Sequence, residues 1–165
     1  MNIRDHQRGR VYAAEEFVRT LFDRVGQHGS RALDFFGTAI TLPPEAHFGS
    51  VVSVQDYVDE VLNLPAVLAH WPHRSAVRVR TRRGHADAAH YERDAQGAVI
   101  AVPEKSGWAL RELVVLHELA HHLDESGAGA HGPEFVATFT ELTTMVMGPE
   151  VGYVLRSVYT REGVR

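Results

Sequence analysis

The segment Leu110 to Leu123, LRELVVLHELAHHL, constrains this chain more than any other. Its apolar residues recur at helical offsets, and Leu113, Leu116, Leu119 and Leu123 make most of its circumference hydrophobic. The pattern predicts a helix buried at the centre of the fold. Such a position is costly for His117, Glu118 and His121 unless something compensates their burial. A bound metal ion supplies that compensation.

Residues four apart on a helix share a face, so the imidazoles of His117 and His121 can ligate one ion. Glu118 lies about 100° around from His117, near enough to reach a water on that ion without ligating it. His-Glu-x-x-His is the arrangement in which zinc acidifies a water and the carboxylate takes its proton. One Zn2+ ion is therefore the expected cofactor, with Glu118 as the general base. The sequence has no cysteine, so any ion must be held by histidines and carboxylates, and disulfides are excluded.

Catalytic zinc takes three protein ligands and keeps a position open. His131 follows the helix closely, and a chain reversal over Ser126 to Ala130 would return it to the metal. Glu141, twenty residues after His121, and Glu134 are the alternatives. By helical geometry both lie roughly 100–120° from the apolar stripe of Phe135, Phe139, Leu142 and Val146, so they more easily meet solvent. His131 is preferred. Asp124 shares the face of His117 and His121 and is either an acceptor for a ligand imidazole or a solvated acid. His122 points away, about 140° from His117, and its place beside His121 reads as incidental.

The rest of the chain reads as mixed α and β. Arg8 to Val25 is an amphipathic helix, and Ala32 to Leu42 a strand bent at Gly37. Ser53 is the expected cap of a second helix that Pro65 interrupts, with a helical turn over Ala66 to His70. Ala76 to Arg82 alternates like a half-wet strand, and Ala88 to Arg93 and Ala98 to Val102 flank a hairpin loop at Asp94 to Gly97. Gly127 is expected to end the central helix. Pro133 opens a helix to Met147, and Glu150 to Thr160 forms a last one. At 165 residues the expectation is one α+β domain spanning 1–165.

A formal charge of −4 gives no general attraction to nucleic acid. Arg78, Arg80, Arg82 and Arg83 form a local ridge that reads as a solvated strand face. The polar beginning MNIRDHQRGR offers no signal peptide, and no run suits a membrane span, which predicts a soluble cytoplasmic protein. Oxyanion-stabilising candidates are Tyr91, Tyr153 and Tyr159. His85 and His90, near the hairpin, read by default as surface histidines, with an auxiliary ligand or an oxyanion donor as the alternatives.

HELAHHL followed by HGPEF, within Val115 to Phe135, resembles the zincin superfamily of zinc metallopeptidases. The HGxxF element of His131, Gly132 and Phe135 is similar to the third-ligand segment of SprT-like proteases. More of the chain, including YAAEEFVRTLFDR and WALRELVVLHELAHHL, resembles a family of small actinobacterial metallohydrolases. The resemblance implies a zincin-like fold: a small mixed or antiparallel sheet packed on the His-Glu-x-x-His helix, with flanking helices. It implies His117, His121 and His131 as ligands and Glu118 as base. It also implies that an edge strand before the helix, preferably Ala88 to Arg93, pairs with an extended substrate. The chain departs from SprT-like proteases in lacking a cysteine zinc ribbon and a basic extension. The expected function is a zinc metallopeptidase cleaving peptide or amide bonds of a peptide or protein substrate. The rival readings are a zinc-stabilised binding domain without turnover and a nucleic-acid-associated hydrolase, the latter resting on the arginine ridge alone.

Overall fold

The computed structural model describes residues 5–105 and 107–165. In chain order the elements are α1 (Arg8–Gln27), β1 (Ala32–Phe35), β2 (Thr38–Thr41), α2 (Val51–Leu62), α3 (Pro65–His70), β3 (Val77–Thr81), β4 (His90–Asp94), β5 (Gly97–Val102), α4 (Glu112–Leu123), α5 (Pro133–Met147) and α6 (Pro149–Arg161). The class is α+β. The chain forms two compact units, Ala46–Glu125 and Met1–Glu45 with Ser126–Arg165.

In the unit Ala46–Glu125, β3, β5 and β4 form a mixed sheet in that order. β5 is central, parallel to β3 and antiparallel to β4. Strand register puts Val77, Val79, Tyr91 and Ile100 on one face, where α2 and α4 pack. The opposite face carries Arg78, Arg80, Glu92 and Asp94, yet Val99 and Ala101 on that face are fully buried. Arg78 pairs with Asp94 at 2.6 Å, and Arg80 pairs with Glu92. These ion pairs join residues of β3 to residues of β4, the strands on either side of β5. Glu92 and Asp94 titrate below the ordinary carboxylate range, Glu92 chiefly through its Arg80 hydrogen bond and Asp94 chiefly through the Gln96 amide. Two of the four ridge arginines, Arg78 and Arg80, are thus ion-paired, and Arg82 donates to the Ala88 carbonyl.

At the outer edge of β3, the Gln55 side chain of α2 takes the place of a neighbouring strand. Its Oε1 accepts from the Val79 amide at 2.7 Å, and its Nε2 donates to the Val77 carbonyl at 2.9 Å. The cap of α2 is Ser50, not Ser53. Ser50 Oγ accepts from the Ser53 amide and Ser53 Oγ from the Ser50 amide, so the second serine is the reciprocal partner of a capping box.

In the other unit, α6 packs against both α1 and α5. Its core includes a polar link, Tyr159 Oη donating to Glu15 Oε1 at 2.9 Å with both side chains buried. Burial, and then the Glu15 charge, push the Tyr159 hydroxyl pKa well above its ordinary value. α5 and α6 lie close together at Gly152, where an added Cβ would lie 2.0 Å from Thr144 Oγ1. The segment Ala32 to Leu42 is not a single bent strand but a hairpin. Phe36 and Gly37 take φ of 50° and 85°, and Asp34 Oδ1 accepts from the Gly37 amide at 2.9 Å, which reverses the chain. Arg161 lies over the Phe36 ring and shields this tip.

Candidate metal centre

The first turn of α4 is pinned before the first of its histidines. Glu112 is 8% exposed, and its Oε1 accepts from Tyr57 Oη at 2.6 Å while Oε2 accepts from the Ala46 amide at 2.9 Å. The Glu112 amide in turn donates to the Ala46 carbonyl, and Phe48 donates to Leu110. A carboxylate at a helix N-terminus also complements the helix dipole. Sequence periodicity gave no sign of Tyr57 as its partner, because the two are 55 residues apart.

From there every residue to Ala120 is buried. His117 and His121 come one turn apart with their Nε2 atoms 3.2 Å from each other and their rings at 75°. Two nitrogens bound to one tetrahedral zinc at its usual bond length stand about 3.3 Å apart, so this pair fits that ion. Glu118, beside the first imidazole, is a buried carboxylate, 8% exposed.

His131 is held by its own neighbours. It precedes Gly132, the extended cap of α5, and Pro133 at the first helical position. Its Nδ1 lies 2.6 Å from Asp5 Oδ2, and its carbonyl accepts from Gln7 Nε2 at 2.7 Å. The Tyr12 and Phe135 rings flank the imidazole at 5.0 and 5.1 Å. Among the described residues, His117, His121 and His131 form a group that could hold a metal ion. All three donors are imidazoles, a set suited to zinc and to other borderline transition ions. Glu134 and Glu141 are exposed on α5 and do not belong to the group.

Several other expectations change. α4 ends at Leu123 rather than near Gly127, with Asp124 as its cap. An acid in that position opposes the helix dipole, which favours termination there. His122 is not incidental. It is buried, its Nε2 lies 2.8 Å from the Ser75 carbonyl, and its Nδ1 lies 3.2 Å from Tyr91 Oη. It joins α4 to β4 and to the segment before β3, and burial holds its pKa below the ordinary histidine value. Each of the three candidate tyrosines has a partner: Tyr91 with His122, Tyr153 with Thr38 Oγ1, and Tyr159 with Glu15. His90 pairs with Glu92, and His85 is exposed in a loop.

The contribution of Asp5 and Gln7 was not legible in the sequence. They stand 126 and 124 residues from His131, with no pattern linking them to it.

Comparisons with protein-family models, with curated proteins and with solved structures find no match. No helix among the described residues is long and apolar enough to cross a membrane.

Proposed function

We propose that this chain is a zinc-dependent hydrolase of peptide or amide bonds, built in the manner of zincin metallopeptidases. The observation that carries the reading is the pair of α4 imidazoles, 3.2 Å apart at Nε2, with the buried Glu118 carboxylate next to the first of them. His131 belongs with them to the group that could hold a metal ion, which supports a three-imidazole set for one ion. Zinc bound there would act as a Lewis acid toward a carbonyl oxygen and would bring a water to ionise near neutral pH.

The chain's own residues divide the remaining work. Glu118 lies about 100° around α4 from His117, which places it beside the ligand face rather than on it. There it takes the proton of the attacking water and passes it to the leaving amine. His122 and Tyr91 fasten β4 to α4, so the sheet edge keeps its position relative to the ligand helix. β4 is an edge strand, whereas β5 is central and β3 has Gln55 on its outer side. An extended peptide adding to this sheet therefore has β4 as its partner, through the segment Ala88 to Arg93.

Metal analysis of the purified protein, followed by cleavage of a peptide library, tests the reading. Glu118→Gln should keep the wild-type zinc content and lose cleavage by a factor of about 100 or more. Full activity in that variant would overturn the assignment of the base. Stoichiometric zinc with no cleavage of any peptide would favour the zinc-stabilised binding domain instead.

A further inference from the structure

The hydrogen bond between Asp5 and His131 has a consequence for metal binding. Asp5 Oδ2 lies 2.6 Å from His131 Nδ1, and the other carboxylate oxygen, Oδ1, is buried with no hydrogen-bond partner among the described residues. The side chains are only 25% and 6% exposed. A neutral imidazole carries one N–H and one lone pair, and only the nitrogen bearing the lone pair can ligate. A carboxylate can only accept. Its contact with Nδ1 therefore puts the hydrogen on Nδ1 and leaves the lone pair on Nε2.

We propose that Asp5 is a positioning residue for metal binding, which fixes the tautomer and ring plane of His131 so that Nε2 is presented as a ligand. The proposal rests on the reading of His131 as a zinc ligand. A second contact from the same stretch holds the backbone. Gln7 Nε2 donates to the His131 carbonyl and to the Arg165 carbonyl, each at 2.7 Å, and Gln7 Oε1 accepts from the Arg165 amide at 3.1 Å. Asp5 thus orients the imidazole while Gln7 holds the main chain of the same residue. Tyr12 and Phe135 limit the ring's remaining freedom from its flanks. Partners of this kind raise the basicity of the ligand nitrogen and remove the need to order the ring when the metal arrives.

The two contacts make separable predictions. A merely structural role would have Asp5→Ala and Gln7→Ala act alike, by loosening the segment around His131. Tautomer control predicts that only Asp5 substitutions change the imidazole itself. The experiment uses full-length protein labelled with nitrogen-15 in its histidines, stripped of metal, with circular dichroism to confirm folding. Wild type and Gln7→Ala should show the His131 Nδ1–H tautomer, and Asp5→Ala should lose it. Zinc affinity, measured by competition with a chromophoric chelator, should fall about 10–100-fold in Asp5→Ala. It should fall by less in Asp5→Asn, which keeps a neutral acceptor. Should Asp5→Ala fail to fold, Asp5→Asn carries the comparison. Unchanged imidazole spectra and zinc affinity in the folded Asp5 variants, with wild type binding zinc, would overturn the proposal alone. A wild type that binds no zinc would overturn the metal reading and the proposal with it.

Discussion

Glu112 offers the sharpest test of how this fold holds α4. Its buried carboxylate accepts two hydrogen bonds, from Tyr57 Oη at 2.6 Å and from the Ala46 amide at 2.9 Å. Hydrogen bonds to a charged group contribute about 1.5–3 kcal/mol each, so the pair represents roughly 3–6 kcal/mol. Removing the carboxylate also relieves the cost of keeping a charge at 8% exposure, which offsets part of that figure. Glu112→Ala should therefore lose about 2–4 kcal/mol. For a chain of 165 residues this corresponds to a fall in Tm of roughly 4–16 °C. Tyr57→Phe removes one donor and should cost about 1–2 kcal/mol, with a coupling energy of similar size in the double-mutant cycle.

Urea unfolding of metal-free protein is the appropriate assay, since bound metal would add its own linkage to the apparent stability. Both tryptophans, Trp71 and Trp108, lie in the unit Ala46–Glu125 that contains α4, so their fluorescence follows that unit. A Glu112→Ala variant within about 0.5 kcal/mol of wild type, or a coupling energy of zero, would refute the reasoning. Either result would mean that packing alone sets the start of α4.

Two further predictions concern the other unit. The Tyr159 hydroxyl titrates above the ordinary tyrosine value in the folded state, so its contribution to stability is complete below about pH 10 and is lost as pH rises further. Alkaline unfolding of wild type should consequently steepen above that pH relative to Tyr159→Phe, and superimposable pH profiles would contradict the assignment. Gly152→Ala sets about 1–3 kcal/mol of overpacking against Thr144 against at most about 1 kcal/mol gained in helix propensity. The substitution should thus be destabilising by thermal melt, and adding Thr144→Ala, which removes the Oγ1 that an added Cβ would meet at 2.0 Å, should recover most of the loss.

The legible parts of the fold are those written in local periodicity and punctuation. The central helix, the helix opening at Pro133, the break at Gly148-Pro149 and the Asp94 to Gly97 hairpin all appear where spacing and turn residues put them. The misread details involve two local solutions of similar merit. Ser50 and Ser53 both satisfy a cap pattern, and the reciprocal hydrogen bonds select Ser50. The apolar run from Ala32 to Leu42 suits one strand or two, and the choice depends on Phe36 accepting a positive φ that its side chain does not favour. At the other end of the central helix, Gly127 offered a stop, but Asp124 acts first.

What the sequence by itself determined is the pairing of His117 with His121 and the place of Glu118 beside them. Helix geometry fixes these relations within four residues, and no distant contact can alter them while the helix exists. What only the tertiary structure decided is which distant groups serve that helix. Tyr57 holds its first turn, His122 is tied to Ser75 and Tyr91, and elsewhere in the chain Asp5 orients His131. Each of these contacts joins residues separated by dozens of positions or more. They arise because buried polar groups must find partners wherever the packed chain supplies them, and no local pattern encodes that meeting.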